Sequence, residues 1–462
     1  MTLRSRFARH LLATALSLGV MAAGATGTAW GQTLEEALAQ AYNNNPTLGA
    51  QRARLRAVDE GVPQARSGYR PTVAATASLG RTAGNVRAPG ERVGTETNSK
   101  TLGLTATQPV YDGQVGPAIR RAERLVEAQR ATLLATEQSV LLNAARAYLD
   151  VVQNQAVLEL QRNNEQVLRR QLEAARDRFR VGEYTRTDVS QSESRLALSV
   201  AARISAEGVL ESSRSTYARY IGTLPGRLKA PKPSFELPAT LDELVAMAES
   251  NNPNVLSASY TEAAQREAVD QEFGAMLPSV NLQAQAQRVF DPPGQGQPID
   301  RSDSLQLTAQ LRIPLYQAGL PEANVREAKH TANQARIQIE EARRQVTETA
   351  ISAWQSLQTA RASIRSYQSQ IEAAQIALEG VRQEAQVGSR TVLDVLNQEQ
   401  ELLNGRVNLV RAQHDEMVAA FSVLGAIGQL TARQLGLPVQ YYDVDKHYQQ
   451  VRDKWFGTGV DE

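Results

Sequence analysis

The sequence predicts an α+β membrane protein: a β-barrel wall built from four strands per chain, continuing into a long α-helical coiled-coil body, the whole internally duplicated. Three observations predict it. Landmarks in the first half recur about 206 residues later. Four segments of roughly 9–11 residues alternate apolar and polar side chains, the length of a tilted strand crossing a bilayer. Two proline-free runs are long enough for helices of roughly 95 Å at ~1.5 Å rise per residue.

The repeat is read from matched landmarks. TLEEALAQAYNNNPTL at Thr33 answers TLDELVAMAESNNPNV at Thr240, an offset of 207. Pro71 and Val73 fall on Pro278 and Val280 at the same offset. Pro109-Val110-Tyr111 answers Pro314-Leu315-Tyr316 at 205, and Gly222 answers Gly428 at 206. So small a drift marks a duplicated chain. The expected organisation is a leader at 1–31, a first repeat at 32–230, a second at 231–430 and a tail at 431–462.

Met1 to Gly31 reads as a secretory signal peptide. Arg4, Arg6, Arg9 and His10 make a basic start, an apolar run follows from Leu11, and Ala29 and Gly31 offer small residues for cleavage before Gln32. The alternative is a membrane anchor, but the second half of that run is Ala, Gly and Thr.

In each repeat a short helix ends at an Asn-Asn-Pro triplet, where proline starts the next helix. The first of these is expected over Thr33 to Asn43, and its successor from Pro46 to about Gly68. Strands are expected at about 71–80, 101–111, 279–290 and 304–315. VNLQAQAQ from Val280 and LQLTAQLRI from Leu305 alternate most clearly. Arg81 to Ser99 and Phe290 to Asp303 read as loops, rich in Gly, Pro and charge. Tyr69, Tyr111, Tyr316 and Phe290 beside the strand ends fit an interfacial aromatic belt. A soluble antiparallel sheet with one wet face is the competing reading.

The long helices are expected over Pro117–Phe179 and Pro321–Gln386. Leu134, Leu141 and Tyr148 form one heptad row, and Ala144, Val151 and Leu158 a second. Leu396, Leu403, Val410, Met417 and Leu424 form a third. Such spacing implies supercoiled helix pairs. Each long helix ends at a matched tip: Val181, Gly182, Asp188 and Val189 against Val387, Gly388, Asp394 and Val395. Gly182 and Gly388 can end their helices in a left-handed conformation. Thr185 or Thr187, and Ser389 or Thr391, can cap the next helix.

Composition narrows the function. The formal charge is +1, and −2 without the three leader arginines, so nothing favours nucleic acid. There is no cysteine, which excludes disulfides, thiolate chemistry, cysteine metal sites and a cysteine-linked lipid. Motifs such as HExxH, GxSxG and a P-loop are missing, so no enzyme and no cofactor is expected. The His414-Asp415 pair on a heptad helix reads as a solvated face, and Asp443 with Asp445 as a solvated acidic tail. Four strands cannot close a barrel, and lipid tolerates no open edge. The chain must therefore oligomerise, as a dimer or a trimer.

The duplicated helix–strand–strand–helix order, the two NNP triplets, the Pro-(Val/Leu)-Tyr strand exits and the paired VGxxTxxDV-like tips resemble the TolC family of outer-membrane channels. The resemblance spans nearly all of the chain beyond the leader. It implies a homotrimer with a twelve-stranded barrel in outer membrane lipid and a coiled-coil tunnel across the periplasm. A periplasmic adaptor (membrane fusion protein) and an inner-membrane ABC or RND transporter are the implied partners. The resemblance also implies a periplasmic gate. Asp394 matches the first of two gate aspartates, and Asn397 stands at the second. Arg390 matches a basic residue tying the inner helices to neighbours, and Asp188 an acidic partner for such ties. Ala385 stands where some members carry a tyrosine of that network. A ring of Asp394 carboxylates would repel and favour protonation or cations. Without the resemblance, Asp394 reads equally as an acid at a helix N-terminus.

Val181, Gly182, Thr187, Val387, Gly388 and Ser389 are the expected adaptor contacts, and they also read as plain hairpin turns. The tail, YYDVDKHYQQVRDKWFGTGVDE, resembles those of members serving type I protein secretion. Small-molecule efflux is the alternative. A soluble periplasmic coiled-coil scaffold or adaptor is a third reading, disfavoured by the four bilayer-length strands.

Overall fold

The computed structural model describes residues 32–88, 91–231, 237–292 and 300–460; the expected leader lies outside them. Helix α1 (Leu34–Asn44) starts at a Thr33 capping box closed by Glu36. Helix α2 (Pro46–Asp59) follows, with proline in its first turn. The helix expected to reach Gly68 instead breaks at Glu60 into α3 (Gly61–Arg66) and a 3₁₀ turn, Ser67–Tyr69. Pro63 causes the break: it has no N–H, and its ring crowds the carbonyl four residues back.

Strands β1 (Thr72–Ala88), β2 (Glu91–Tyr111), β3 (Ser279–Phe290) and β4 (Arg301–Arg312) form one antiparallel sheet in the order β1-β2-β3-β4. The register sorts the side chains. Ala75 pairs with Leu104, Leu104 with Ala286, and Ala286 with Leu305. Val73 with Ala106, Ala284 with Leu307 and Val280 with Leu311 fall on the same face. The other face carries Ser78–Thr101, Thr105–Gln285 and Gln285–Gln306. Among the described residues nothing covers the apolar face: Leu305 is 83% exposed, and Val73, Leu79 and Leu307 are exposed too.

In the stretch 81–99, expected as a loop, the described residues are instead paired β-ribbon, from Arg81↔Asn98 to Ala88↔Glu91. It lacks alternation because it leaves the third strand behind: β2 pairs with β3 only from Lys100 onward. Beyond Lys100 the arm has only β1 as a partner among the described residues, so no third strand fixes an apolar side there. Strand β4 starts at Arg301 and stops at Arg312, short of the expected 315. Pro314 cannot donate to a ladder.

The helical body is α4 (Val115–Arg180), α5 (Arg186–Ile221), α6 (Leu241–Asn251), α7 (Pro253–Gly274), α8 (Leu320–Gln386) and α9 (Val392–Ala426). Helices α4 and α5 form one antiparallel hairpin and α8 and α9 the other. Leu141 and Tyr148 are fully buried, as are Ala144 and Val151, but Leu134 is 40% exposed and drops out of its row. Leu396, Leu403, Met417 and Leu424 all face the core.

The second asparagine of each NNP triplet does two jobs. The Oδ1 of Asn45 accepts from Thr47 N at 2.9 Å, and its Nδ2 donates to the Tyr220 carbonyl at 3.1 Å. The Oδ1 of Asn252 accepts from Asn254 N at 2.9 Å, and its Nδ2 donates to the Ala426 carbonyl at 2.9 Å. One side chain thus caps the second helix of a repeat and holds the end of its last. Sheet and body meet where Gly113 and Gly274 cross: a Cβ on Gly274 would lie 2.4 Å from the Gly113 carbonyl oxygen.

Candidate functional site: the hairpin tips and the ties above them

Both tips fold by the same local rule. Gly182 (φ +83°) and Gly388 (φ +82°) are left-handed. Gly182 N donates to Phe179 O at 3.1 Å and Glu183 N to Arg178 O at 2.9 Å. Gly388 N donates to Ala385 O at 3.2 Å and Ser389 N to Glu384 O at 3.0 Å. These paired bonds satisfy the last carbonyls of α4 and α8. Among the described residues, nothing beyond the adjoining residues lies within 4 Å of a Cβ built on either glycine, so both tips are open on the outside. Val181 and Val387 are exposed beside them.

The caps are Thr185 and Thr391. Thr391 Oγ1 accepts from Asp394 N at 3.3 Å, while Asp394 Oδ2 accepts from Thr391 N at 3.0 Å and from its hydroxyl at 2.8 Å. Thr185 and Asp188 repeat this, with 3.2, 2.9 and 2.7 Å in turn. Thr187 lies inside the first turn of α5, and the Ser389 hydroxyl donates to the Glu384 carbonyl. Hydrogen bonds from the Thr391 backbone and hydroxyl, aided by the Arg390 charge, hold the Asp394 carboxyl below its usual range. Within one chain, then, the capping box keeps Asp394 ionised, opposing the protonation that a ring of carboxylates favours.

Arg390 and Asp188 are not brought together within the chain. Arg390 Nε donates to Glu384 Oε2 at 2.8 Å, and Asp188 serves Thr185. Asn397 is tied across the hairpins: Arg195 of α5 donates to its Oδ1 at 2.6 Å.

A second tie, one layer up, was not singled out from the sequence. Glu399 on α9 is 7% exposed. Its Oε1 accepts from Gln171 Nε2 of α4 at 2.6 Å and from an Arg382 guanidinium nitrogen of α8 at 2.7 Å. Three long helices converge on one carboxylate. The signal was available: Glu399 stands three residues after Leu396, where the heptad calls for an apolar side chain. Next comes a cluster in which Glu165 accepts from Arg203 at 2.6 Å and from Arg169 at 2.7 Å.

His414, expected on a solvated face, is mostly buried and bridges Asp150 of α4 at 2.8 Å and Asp415 at 3.0 Å. Burial opposes its charge, but the two carboxylates outweigh burial and raise its pKa. In the tail, Asp443 accepts from the Asp445 and Lys446 amides, and Asp445 pairs with Arg130 at 2.6 Å. Among the described residues no cluster of His, Asp and Glu is arranged to hold a metal.

Comparison with known proteins agrees with this architecture. A family profile described as "Outer membrane efflux protein" matches residues 37–223 and 244–429, one stretch per repeat. The chain is 36% identical over 427 residues to the outer membrane efflux protein BepC of Brucella suis, covering 92% of each. It is 26% identical over 434 residues to the outer membrane protein TolC of Escherichia coli, covering 90% of this chain and 86% of that one. Its fold matches the Campylobacter jejuni CmeC outer membrane channel with a TM-score of 0.77 at 16% identity, covering 91% of this chain and 89% of that one.

Proposed function

The chain belongs to the outer membrane efflux protein family, and from that premise we propose that it forms the trimeric exit channel of a tripartite export machine. It resides in the outer membrane, with its helices in the periplasm. One observation carries the proposal. Among the described residues, a four-stranded sheet presents an uncovered apolar face along every strand, and β1 and β4 each leave an edge unpaired. Lipid covers such a face, and only closure by further copies removes such edges. Exposed Leu198, Ile204 and Val209 on α5, with Ile337 and Ile376 on α8, supply apolar helix surface for the same contacts.

In this reading the tips are the mobile end. Asp394 from three chains rings the axis and filters cations, with Asn397 as a neutral second layer and Arg390 and Asp188 as ties to neighbouring copies. Val181, Gly182 and Thr187, with Val387, Gly388 and Ser389, meet the periplasmic adaptor, which couples the channel to an inner-membrane transporter. Type I protein secretion, driven by an ABC transporter, is the leading use, on the strength of the tail. Small-molecule efflux through an RND transporter is the second, favoured by the name of the Brucella relative.

Single-channel recording in planar bilayers tests the channel and its gate together. Wild-type protein is expected to give a small, cation-selective conductance, and Asp394→Ala a larger and less selective one. A conductance indifferent to Asp394 removes the gate assignment, and no conductance from folded protein removes the channel. Valine at Gly182 or Gly388 is expected to abolish export while trimers still insert. The space around each is open, so the cost of roughly 1–2 kcal/mol is local backbone strain. Undiminished export by both variants would rule out the tips as the adaptor contact.

A further inference from the structure

The tail runs beside the start of the chain, and its contacts climb in order. Tyr442 N donates to the hydroxyl of Tyr42 at 3.0 Å. Helix α10 (Lys446–Val451) carries His447, whose Nδ1 lies 2.9 Å from the buried Asp59 carboxylate. Asp453 pairs with Arg66. Arg70 donates to the Lys454 carbonyl at 2.7 Å and sets its guanidinium 4.9 Å from the centre of the Trp455 ring. The partners 42, 59, 66 and 70 lead along α1 to α3 and end two residues before β1 begins. The tail is thus pinned at each step, and it delivers Trp455 and Phe456 to the foot of the sheet.

There the two rings stay uncovered. Trp455 is 58% exposed and Phe456 87%, with their ring centres 6.5 Å apart. Tyr69 and Tyr111, at the feet of β1 and β2, are exposed at the same level. Aromatic rings with a polar edge and neighbouring cations are the side chains that settle at a bilayer's headgroup layer. Here the cations are Arg70, stacked on the indole, and Lys454, whose ammonium bonds Gly459 O at 3.1 Å. The apolar sheet face beginning at Val73 continues directly from this point.

We propose that Trp455 and Phe456 insert into the periplasm-facing phospholipid leaflet, making the tail an interfacial anchor that fixes the height of the barrel in the membrane. The proposal rests on the outer-membrane barrel reading above. The occupant is a phospholipid surface, and burial of the two rings by a second copy or by the adaptor is an outcome that contradicts it.

The test is tryptophan quenching by brominated phosphatidylcholine. Trp30 lies in the expected leader, so Trp354→Phe leaves Trp455 as the one indole of the processed chain. Reconstituted into vesicles, this variant is expected to lose roughly half its emission to lipid brominated near the headgroup, and less to lipid brominated near the chain end. Trp455→Phe, which keeps Trp354 in the helical body, is expected to be quenched by neither. Should Trp354→Phe fail to fold, wild type minus Trp455→Phe gives the same spectrum. Protein that floats with the vesicles and conducts, yet shows no quenching of Trp455, overturns the anchor and leaves the barrel standing. Protein that neither floats nor conducts overturns the barrel reading itself.

Discussion

Alanine at Asn252 is expected to lower the stability of the helical body by roughly 2–4 kcal/mol, the sum of a lost helix cap and an orphaned buried carbonyl. The cap is the Oδ1 bond to Asn254 N, and the orphan is the Ala426 carbonyl at the end of α9. Asn252 is buried, so water cannot readily replace the missing donor. Aspartate at the same position keeps the cap but sets a buried carboxylate oxygen against the Ala426 carbonyl, and is expected to be no more stable than alanine. Thermal melting of the detergent-solubilised protein, followed by circular dichroism, measures the series. Asn45→Ala is expected to behave alike, through Tyr220. A melting curve for Asn252→Ala matching that of an exposed helix substitution would mean that the repeat's two ends are held by something else.

The second large effect is expected at Glu399, on function rather than folding. Its carboxylate is shared by Gln171 and Arg382, so alanine there unties α9 from α4 and α8 at once, next to the tips. If the opened channel lacks this tie, losing about 1.4 kcal/mol of it shifts the balance toward the open form about tenfold. Spontaneous openings of Glu399→Ala in planar bilayers, set beside wild type, give the ratio. Glutamine retains both acceptor contacts without the charge and is expected to show a smaller rise. An open fraction unchanged in Glu399→Ala would show that the tie is common to both forms and that the gate is held elsewhere.

The large elements were legible because their signals are periodic and long. The heptad through Leu396, Leu403 and Met417, and the alternation from Leu305 to Ile313, each repeat often enough to outvote exceptions. The tips were legible because a left-handed glycine followed by a threonine cap is a local rule. What escaped was set by distant partners. Nothing near Glu399 in the chain announces Gln171, 228 positions away. His414 looked solvated because Asp150, which covers it, lies 264 positions away. The ribbon at 81–99 was misread for the opposite reason. Its turn-forming, charged composition is common to loops and to a two-stranded hairpin, and only the ladder tells them apart.

On the proposed barrel, that ribbon alters what the cell surface shows. Nine residues of β2, from Glu91 to Ser99, stand beyond the last pairing with β3, which at about 3.3 Å per residue raises the arm roughly 30 Å above its neighbour. Among the described residues, β3 and β4 pair no further than Phe290↔Arg301. In a trimer the outer mouth is then crenellated, three tall masts alternating with three low walls, rather than a smooth rim. On the proposed barrel, a peptide spliced into one mast above Arg81 is expected to be displayed to the outside world, where an antibody or a phage meets it first, while the passage below is left as it was.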